Sequence, residues 1–325
     1  MTTTTIIGPG AIGGLLAAAL SNAGHQVSLL ARGATLSAIR QNGLRVRPSD
    51  DGPEQVYKLD ASDDPTSFGV QDFVIIALKA QALPAMAAKL APLIGPHTVI
   101  VSAMNGLPWW FLHGLDGAPE SHTLDAVDPD GKVSAALDPL RSIGCVVHLG
   151  SAQVEPGVIQ RVRANQLIVG SAHASLNDQV THLTTDLRTG GFEVAVSDSI
   201  HREIWIKLWG NMNMNPISAL TGSTLTQILD DPLTNQLALS MMEEASAIGR
   251  KLGLDTGMTP PERAVMTRKL GAFKTSMLQD FEAHREMEIG PILGVFPELG
   301  RKLGVATPYC DAILGLLQQR SANPY

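Results

Sequence analysis

The sequence predicts an α/β N-terminal domain built on a doubly wound, mostly parallel sheet, followed by an all-α C-terminal domain. Three observations carry this. The chain opens on a strand, a glycine turn, a helix and a second strand. Further strand-like runs follow, the first of them separated by helical or loop segments, which is the pattern of parallel pairing. After Ser197 the strand signals stop and only helix-like segments remain.

Taken in order, Thr4–Ile7 is β-prone, Gly8–Gly13 is a glycine turn, Ala11–Ala23 reads as a helix ended by Gly24, and Val27–Ala31 is a second strand. Strand-like runs follow at Phe73–Leu78, Thr98–Ala103 and Ile143–Val147. Gln153–Arg163 and Gln166–Gly170 read as strands joined by turns, Ser175–Thr189 as a helix and Phe192–Val196 as a last strand. The helical half comprises Ser199–Leu220, Pro232–Leu252, Pro260–Leu270, Thr275–Ile289, Pro291–Leu303 and Pro308–Gln319. A length of 325 residues suits two domains. The expected division is 1–197 and 198–325, with no Gly/Ser linker between them. Asp116–Pro139, rich in Asp, Pro and Gly, reads as an exposed excursion.

Composition narrows the function. With 44% hydrophobic and 17% charged residues, wholesale disorder is excluded. A net charge of -7 lacks the basic footprint of a nucleic-acid binder. Cys145 and Cys310 are the only two cysteines, too few and too far apart for a disulfide framework or a metal cluster, and they fit a reducing cytoplasm. The histidines form no ligand pair, so no metal is expected. Ile6–Leu20 is apolar, but no Lys or Arg precedes it and Gly8, Pro9 and Gly10 break it, so it reads as strand, turn and helix, not as a leader. No other run is long and apolar enough to span a bilayer.

Gly8-Pro9-Gly10-Ala11-Ile12-Gly13 is a complete G-x-G-x-x-G between a strand and a helix. The first glycine permits the tight turn, the second lets the backbone approach a pyrophosphate, and the third lets helix and strand pack closely. The helix N-terminus then offers free N–H groups to phosphates. This marks a Rossmann domain. The end of the second strand selects the cofactor. An NAD site places an acid there, but this chain has Ala31-Arg32-Gly33, and its next acid is Asp50. A guanidinium pairs with a 2′-phosphate that an acid would repel, so NADPH is expected. Lys79 and Asn105-Gly106 follow two later strands, at the carboxyl edge where ligands bind in open α/β sheets.

In the helical half, Lys207, Asn211 and Asn215 are spaced i, i+4, i+8 and form one polar stripe on an apolar helix. Two hydrophobic residues flank Lys207 on each side. Desolvation there would lower its pKa and make it a better proton donor near neutral pH. Asparagine is a poor helix former, so these amides suit a substrate oxygen better than they suit stability. Pro216 is expected to open the helix. Ser276, Asp280, Arg285 and Glu288 form a second polar set: the first two share a face, and the last two, at i, i+3, read as a surface ion pair.

Together these residues resemble the ketopantoate reductase (2-dehydropantoate 2-reductase) family over nearly the whole chain. The likeness rests on Gly8–Gly13, Arg32, Leu78-Lys79-Ala80, Asn105-Gly106, the Lys207/Asn211/Asn215 stripe, and Ser276–Asp280 followed by Arg285 and Glu288-Ile289. The resemblance implies NADPH-dependent reduction of a 2-oxo acid, with Lys207 as general acid and Glu288 as an active-site acid near the nicotinamide and ribose. It implies that Asn211 and Asn215 hold a substrate hydroxyl, and that Ser276 and Asn105 lie near the substrate carboxylate. Gly8, Pro9, Gly10, Ala11, Ile12, Gly13, Arg32 and Lys79, with Asn105 and Glu288, would then contact the cofactor. The chain departs from the pattern at Leu225, where the family has a further asparagine, and at Trp109 and Trp110, which place bulky aromatics close to the site. Two other readings stand beside this one: a related dehydrogenase of another hydroxy acid, sugar acid or opine, and a non-catalytic NADPH-sensing protein. The partner expected is a small 2-oxo acid, neither nucleic acid nor membrane. A homodimer stays open, because the apolar helices suit an interface and an internal core equally.

Overall fold

The computed structural model describes residues 1–49 and 52–323; Asp50 lies outside them. The chain divides into two compact units, Met1–Met104 with Lys132–Ile200, and Asn105–Gly131 with His201–Tyr325.

The first unit contains β1 (Thr3–Ile7), α1 (Ala11–Asn22), β2 (Gln26–Leu30), α2 (Gly33–Asn42), β3 (Leu44–Arg47), β4 (Gln55–Tyr57), β5 (Asp60–Ser62), β6 (Phe73–Ile76), α3 (Leu83–Met86), β7 (Val99–Ser102), α4 (Lys132–Ala136), β8 (Ser142–Glu155), β9 (Val158–Ser171), α5 (Asn177–Thr189) and β10 (Glu193–Val196). One sheet runs β4-β3-β9-β8-β7-β6-β1-β2-β5, and β10 pairs with β9. Among the described residues every pairing is parallel except β3–β4 and β8–β9. β1 lies between β2 and β6, so the strand order reverses there, and the crevice beyond its carboxyl end is the place such sheets offer a ligand.

α1 packs against the sheet through small residues. A Cβ on Gly14 would lie 2.6 Å from Ile159 Cγ1 of β9, and one on Gly190, at the end of α5, would lie 2.3 Å from the Ala19 carbonyl oxygen of α1. Leu15, Leu16, Leu20, Leu29, Ile75, Val101, Leu183 and Leu187 fill the core that these approaches close.

The main correction concerns β8 and β9. The expected strand Gln153–Arg163 is broken by Pro156-Gly157, with Gly157 at φ +73°, and the chain doubles back as an antiparallel hairpin of two 14-residue strands. Proline pre-sets the first corner of such a turn and glycine accepts the positive φ of the second without strain. The short strands β3, β4 and β5 were not anticipated.

The second unit is helical: α6 (Ile200–Thr221), α7 (Leu225–Asp230), α8 (Pro232–Lys251), α9 (Pro260–Arg268), α10 (Ser276–Glu282), a π-helical turn at Gly290–Gly294, α11 (Val295–Leu303) and α12 (Pro308–Ala322). Its core includes Trp110, Phe111, Trp205, Trp209, Met241 and Phe296, and Phe111 stacks on Trp205 at 6.0 Å between ring centroids. α7 was not anticipated; a capping box between Thr224 and Gln227 starts it. α6 runs through Pro216 unbroken. The helix expected over Thr275–Ile289 stops at Glu282: His284 adopts φ +52°, and Arg285 N–H turns back to the Asp280 carbonyl.

The Asp116–Pro139 stretch is not an exposed excursion. Leu124, Val127 and Asp128 are buried within the helical unit, and the Glu298 carboxylate accepts hydrogen bonds from Asp125 N–H and Ala126 N–H at 2.8 and 3.0 Å. In the first unit, Val133 and Leu137 are buried as well. Apolar residues at helical spacing, not the Asp, Pro and Gly content, decide its placement. No helix among the described residues is long and apolar enough to cross a membrane.

Candidate active site

In the first unit the glycine motif behaves as its spacing demands. Gly8 follows β1 at φ +87°, and a Cβ there would strike Leu78 Cδ2 at 2.6 Å. Gly13 is enforced by packing: its Cβ would lie 2.3 Å from the Gly8 carbonyl oxygen and 3.0 Å from Ile6 and Ala77. Gly10 differs. Its φ of -83° suits any residue, and a Cβ would meet only Gln153 Oε1 at 3.8 Å. Folding therefore does not demand a glycine at position 10, and the bare backbone is left for something outside the chain. Gly10 is also the N-cap of α1, and no side chain caps that terminus or places an acid in its first turn. An uncapped helix N-terminus beside an open glycine fits a dinucleotide pyrophosphate.

The flanking strands bring charge to the same edge. Gly8 N–H bonds to Leu30 O at 3.1 Å and Ala77 N–H to Ile7 O at 3.0 Å, so the chain leaves β1, β2 and β6 side by side. Arg32 is the N-cap residue of α2, exposed, and forms no ion pair among the described residues. Lys79 is half-buried, three residues beyond the end of β6 at Ile76, where the sequence reading placed it directly after the strand. Gln153 was not anticipated. The β8–β9 hairpin carries it over the turn, where its amide donates to Thr35 Oγ1 at 3.0 Å. No local signal marks it, because the fold-back at Pro156-Gly157 is what delivers it.

The second unit gathers most of the predicted substrate residues. Lys207, Asn211 and Asn215 lie on one face of α6, the first two half-buried and Asn215 buried. Lys207 Nζ donates a hydrogen bond to Asn105 Oδ1 at 2.9 Å. The turn at Asn105-Gly106 is fixed by the π-helical segment. Gly106 has φ +80°, its Cβ would lie 2.6 Å from Pro291 Cβ, and Leu107 N–H bonds to Pro291 O at 2.9 Å. Glu288, 8% exposed, sits two residues before that segment. It is buried, and Arg285 pairs with Asp280 at 2.9 Å, so the expected Arg285–Glu288 surface pair is replaced. Ser276 is exposed at the first turn of α10, behind its N-cap Thr275. Trp109 and Trp110 are 2% and 0% exposed: they are core residues of this unit and not pocket walls. Leu225 is buried at the start of α7.

A separate network in the first unit joins His25 Nε2 and His182 Nε2 to Asp186 Oδ2 at 2.6 and 3.0 Å, while His25 Nδ1 meets Thr4 Oγ1 at 2.8 Å. It ties β1 and β2 to α5. Tertiary folding assembles this group from histidines that sequence spacing leaves scattered.

Two family models match the chain: ketopantoate reductase PanE/ApbA over residues 4–110, and its C-terminal counterpart over residues 199–321. The chain is 43% identical to a 2-dehydropantoate 2-reductase of Mesorhizobium japonicum over 97% of its own length and 96% of that protein's. It superposes at a TM-score of 0.93, with 42% identity, on a ketopantoate reductase-family crystal structure from Ralstonia solanacearum MolK2, covering 99% of this chain and 98% of the other. D-mandelate dehydrogenase in complex with NADH and anilino(oxo)acetate shares the fold, with a TM-score of 0.83 at 20% identity over 98% of each chain. Both halves of the chain, and nearly its whole length, thus belong to the ketopantoate reductase PanE/ApbA family.

Proposed function

We propose that the protein reduces a 2-oxo acid to the 2-hydroxy acid with NADPH, and that the substrate is 2-dehydropantoate, on which the Mesorhizobium relative acts by name. The observation that carries this is the Lys207–Asn105 hydrogen bond at the head of the Lys207/Asn211/Asn215 stripe. It aims an ammonium across a face otherwise lined by amides.

Bound NADPH supplies a hydride to the ketone carbon. Gly10 and the N-terminus of α1 hold the pyrophosphate. Arg32, exposed where an NAD site keeps an acid, receives the 2′-phosphate, and Lys79 adds positive charge beyond β6. Lys207 donates its proton to the oxygen that gains the electron pair, and its charge stabilises that oxygen as it becomes an alkoxide. Asn105 fixes the direction of Nζ, while Asn211 and Asn215 hold the substrate hydroxyl. Glu288 stands by as the buried acid near the reacting end, and Ser276 serves the carboxylate end.

The test is NADPH consumption with 2-dehydropantoate beside a panel of other 2-oxo acids. Turnover of 2-dehydropantoate is expected, with Lys207→Ala losing roughly 10²- to 10⁴-fold in kcat while NADPH binding is kept. Undiminished turnover in Lys207→Ala refutes the general-acid role. Turnover confined to other 2-oxo acids refutes the named substrate.

A further inference from the structure

Arg263 of α9 is a half-buried cation with no ionic partner among the described residues. Its guanidinium lies against the backbone of α6 at Gly210, where a Cβ would stand 2.3 Å from Nη2 and 3.0 Å from Cζ and Nε. Nε is sealed from solvent and has no hydrogen-bond partner. The adjacent acid, Glu262, is engaged elsewhere: its carboxylate accepts from Thr259 N–H at 2.7 Å and Thr259 Oγ1 at 2.9 Å in the capping box of α9. Burial holds the guanidinium below the ordinary arginine pKa, and no neighbouring acid opposes that shift.

A half-buried guanidinium with no anion beside it is poorly compensated, and its open Nη groups suit a partner from outside the chain. The location says which. Gly210 is three residues beyond Lys207 and adjacent to Asn211, so two cations address one turn of α6. In a 2-oxo acid the carboxylate is bonded directly to the ketone carbon, so the oxygen that Lys207 protonates and the carboxylate oxygens are a few bonds apart. Arginine's planar fork matches a carboxylate with two parallel hydrogen bonds. A side chain at position 210 would displace the fork, and Gly210 leaves it in place.

We propose that Arg263 joins Ser276 in receiving the carboxylate of the substrate and supplies the positive charge that selects 2-oxo acids at this site, an inference that rests on the reductase reading above. It was not legible in the sequence, where Arg263 follows Pro-Pro-Glu and reads as a solvated helix residue.

The experiment compares wild type with Arg263→Met, which keeps length and packing, and Arg263→Lys, which keeps charge without the fork. Oxamate, a 2-oxo acid mimic that cannot be reduced, is titrated into the NADPH-loaded protein by calorimetry and by thermal shift. Oxamate is expected to bind and raise the melting temperature of wild type, and to bind Arg263→Met roughly 10- to 100-fold more weakly, with Arg263→Lys between them. The KM for the 2-oxo acid rises in parallel, and the NADPH Kd stays unchanged. Arg263→Met is expected to fold about as stably as wild type, since it removes a half-buried charge that has no ionic partner among the described residues. Should it fail to fold, Arg263→Lys and Gly210→Ala, which displaces the fork, carry the same comparison. Oxamate that binds variant and wild type alike, or binds neither, overturns the proposal. Arg263-dependent oxamate binding in a protein that reduces no 2-oxo acid sinks the reductase reading and leaves the anion site standing.

Discussion

Gly10 and Gly13 share one motif but answer to different demands, and substitution separates them. Gly13→Ala drives a methyl to 2.3 Å from the Gly8 carbonyl, inside the protein's own packing. It is expected to cost about 1–3 kcal/mol in chemical denaturation of the unliganded protein. Gly10→Ala meets only a glutamine side chain at 3.8 Å and needs no positive φ. Its unliganded stability should hold or rise by about 0.4–1 kcal/mol, while NADPH affinity falls. A Gly10→Ala protein that binds NADPH like wild type would place the pyrophosphate elsewhere. Arg32 is tested by charge reversal. Arg32→Glu should raise the NADPH KM roughly 10- to 100-fold and leave that for NADH nearly unchanged, because only the 2′-phosphate is repelled. Equal effects on both cofactors would count against a 2′-phosphate contact. The glycine turn was readable because one strand–turn–helix segment contains it. The partner of Lys207 was not, since Asn105 stands 102 positions away and only the turn seated on Pro291 brings it there.

At the level of elements, helix ends carry much of the organisation, and Glu244 is a clear case. It projects from α8, is buried, and accepts hydrogen bonds from Tyr309 N–H and Cys310 N–H at 2.8 and 2.9 Å, capping α12, whose own N-cap Thr307 makes no side-chain cap. Glu244→Ala strands two N–H groups and removes a negative charge from a helix N-terminus. It should cost about 2–4 kcal/mol, read as a lowered denaturation midpoint, with Glu244→Gln losing less. An unchanged midpoint would mean that water replaces the cap. Long uninterrupted helix-forming runs with clear ends made α1, α6 and α8 legible in the sequence. Elements set by one turn were missed: Pro156-Gly157 folds one expected strand into a hairpin, and His284 in the left-handed region ends α10 where the apolar pattern ran on. Trp109 and Trp110 misled for a related reason. Proximity to Asn105 along the chain suggested the site, but the burial of large aromatic surface decided their place in the core.

Over the whole molecule, a net charge of -7 repels an anionic cofactor, so the proposed function requires local attraction, which Arg32 and Lys79 are proposed to supply. Binding of this kind weakens as salt screens it, and it couples to stability, because a ligand that binds only the folded form holds that form closed. The chain carries its own reporters of opening. Cys145, 3% exposed, lies in the sheet unit, and Cys310, 0% exposed, lies in the helical unit. Burial, and then the neighbouring Glu244, push the Cys310 thiol far above its usual range, so it stays protonated at working pH, and the thiolate is the reactive form. Neither thiol should react with a disulfide reagent in the native protein within minutes at pH 8, and both should react in denaturant. Single Cys→Ser variants then assign each rate. NADPH at a hundred times its Kd should slow Cys145 labelling by about 100-fold, because opening that exposes this strand residue dismantles the cradle at the end of β1. Glu244→Ala should instead hasten labelling of Cys310 by loosening the start of α12. If Cys145 reacted equally fast with and without saturating NADPH, labelling would have to proceed through local fraying that leaves the cradle intact, and the linkage between cofactor binding and closure of the sheet would fail.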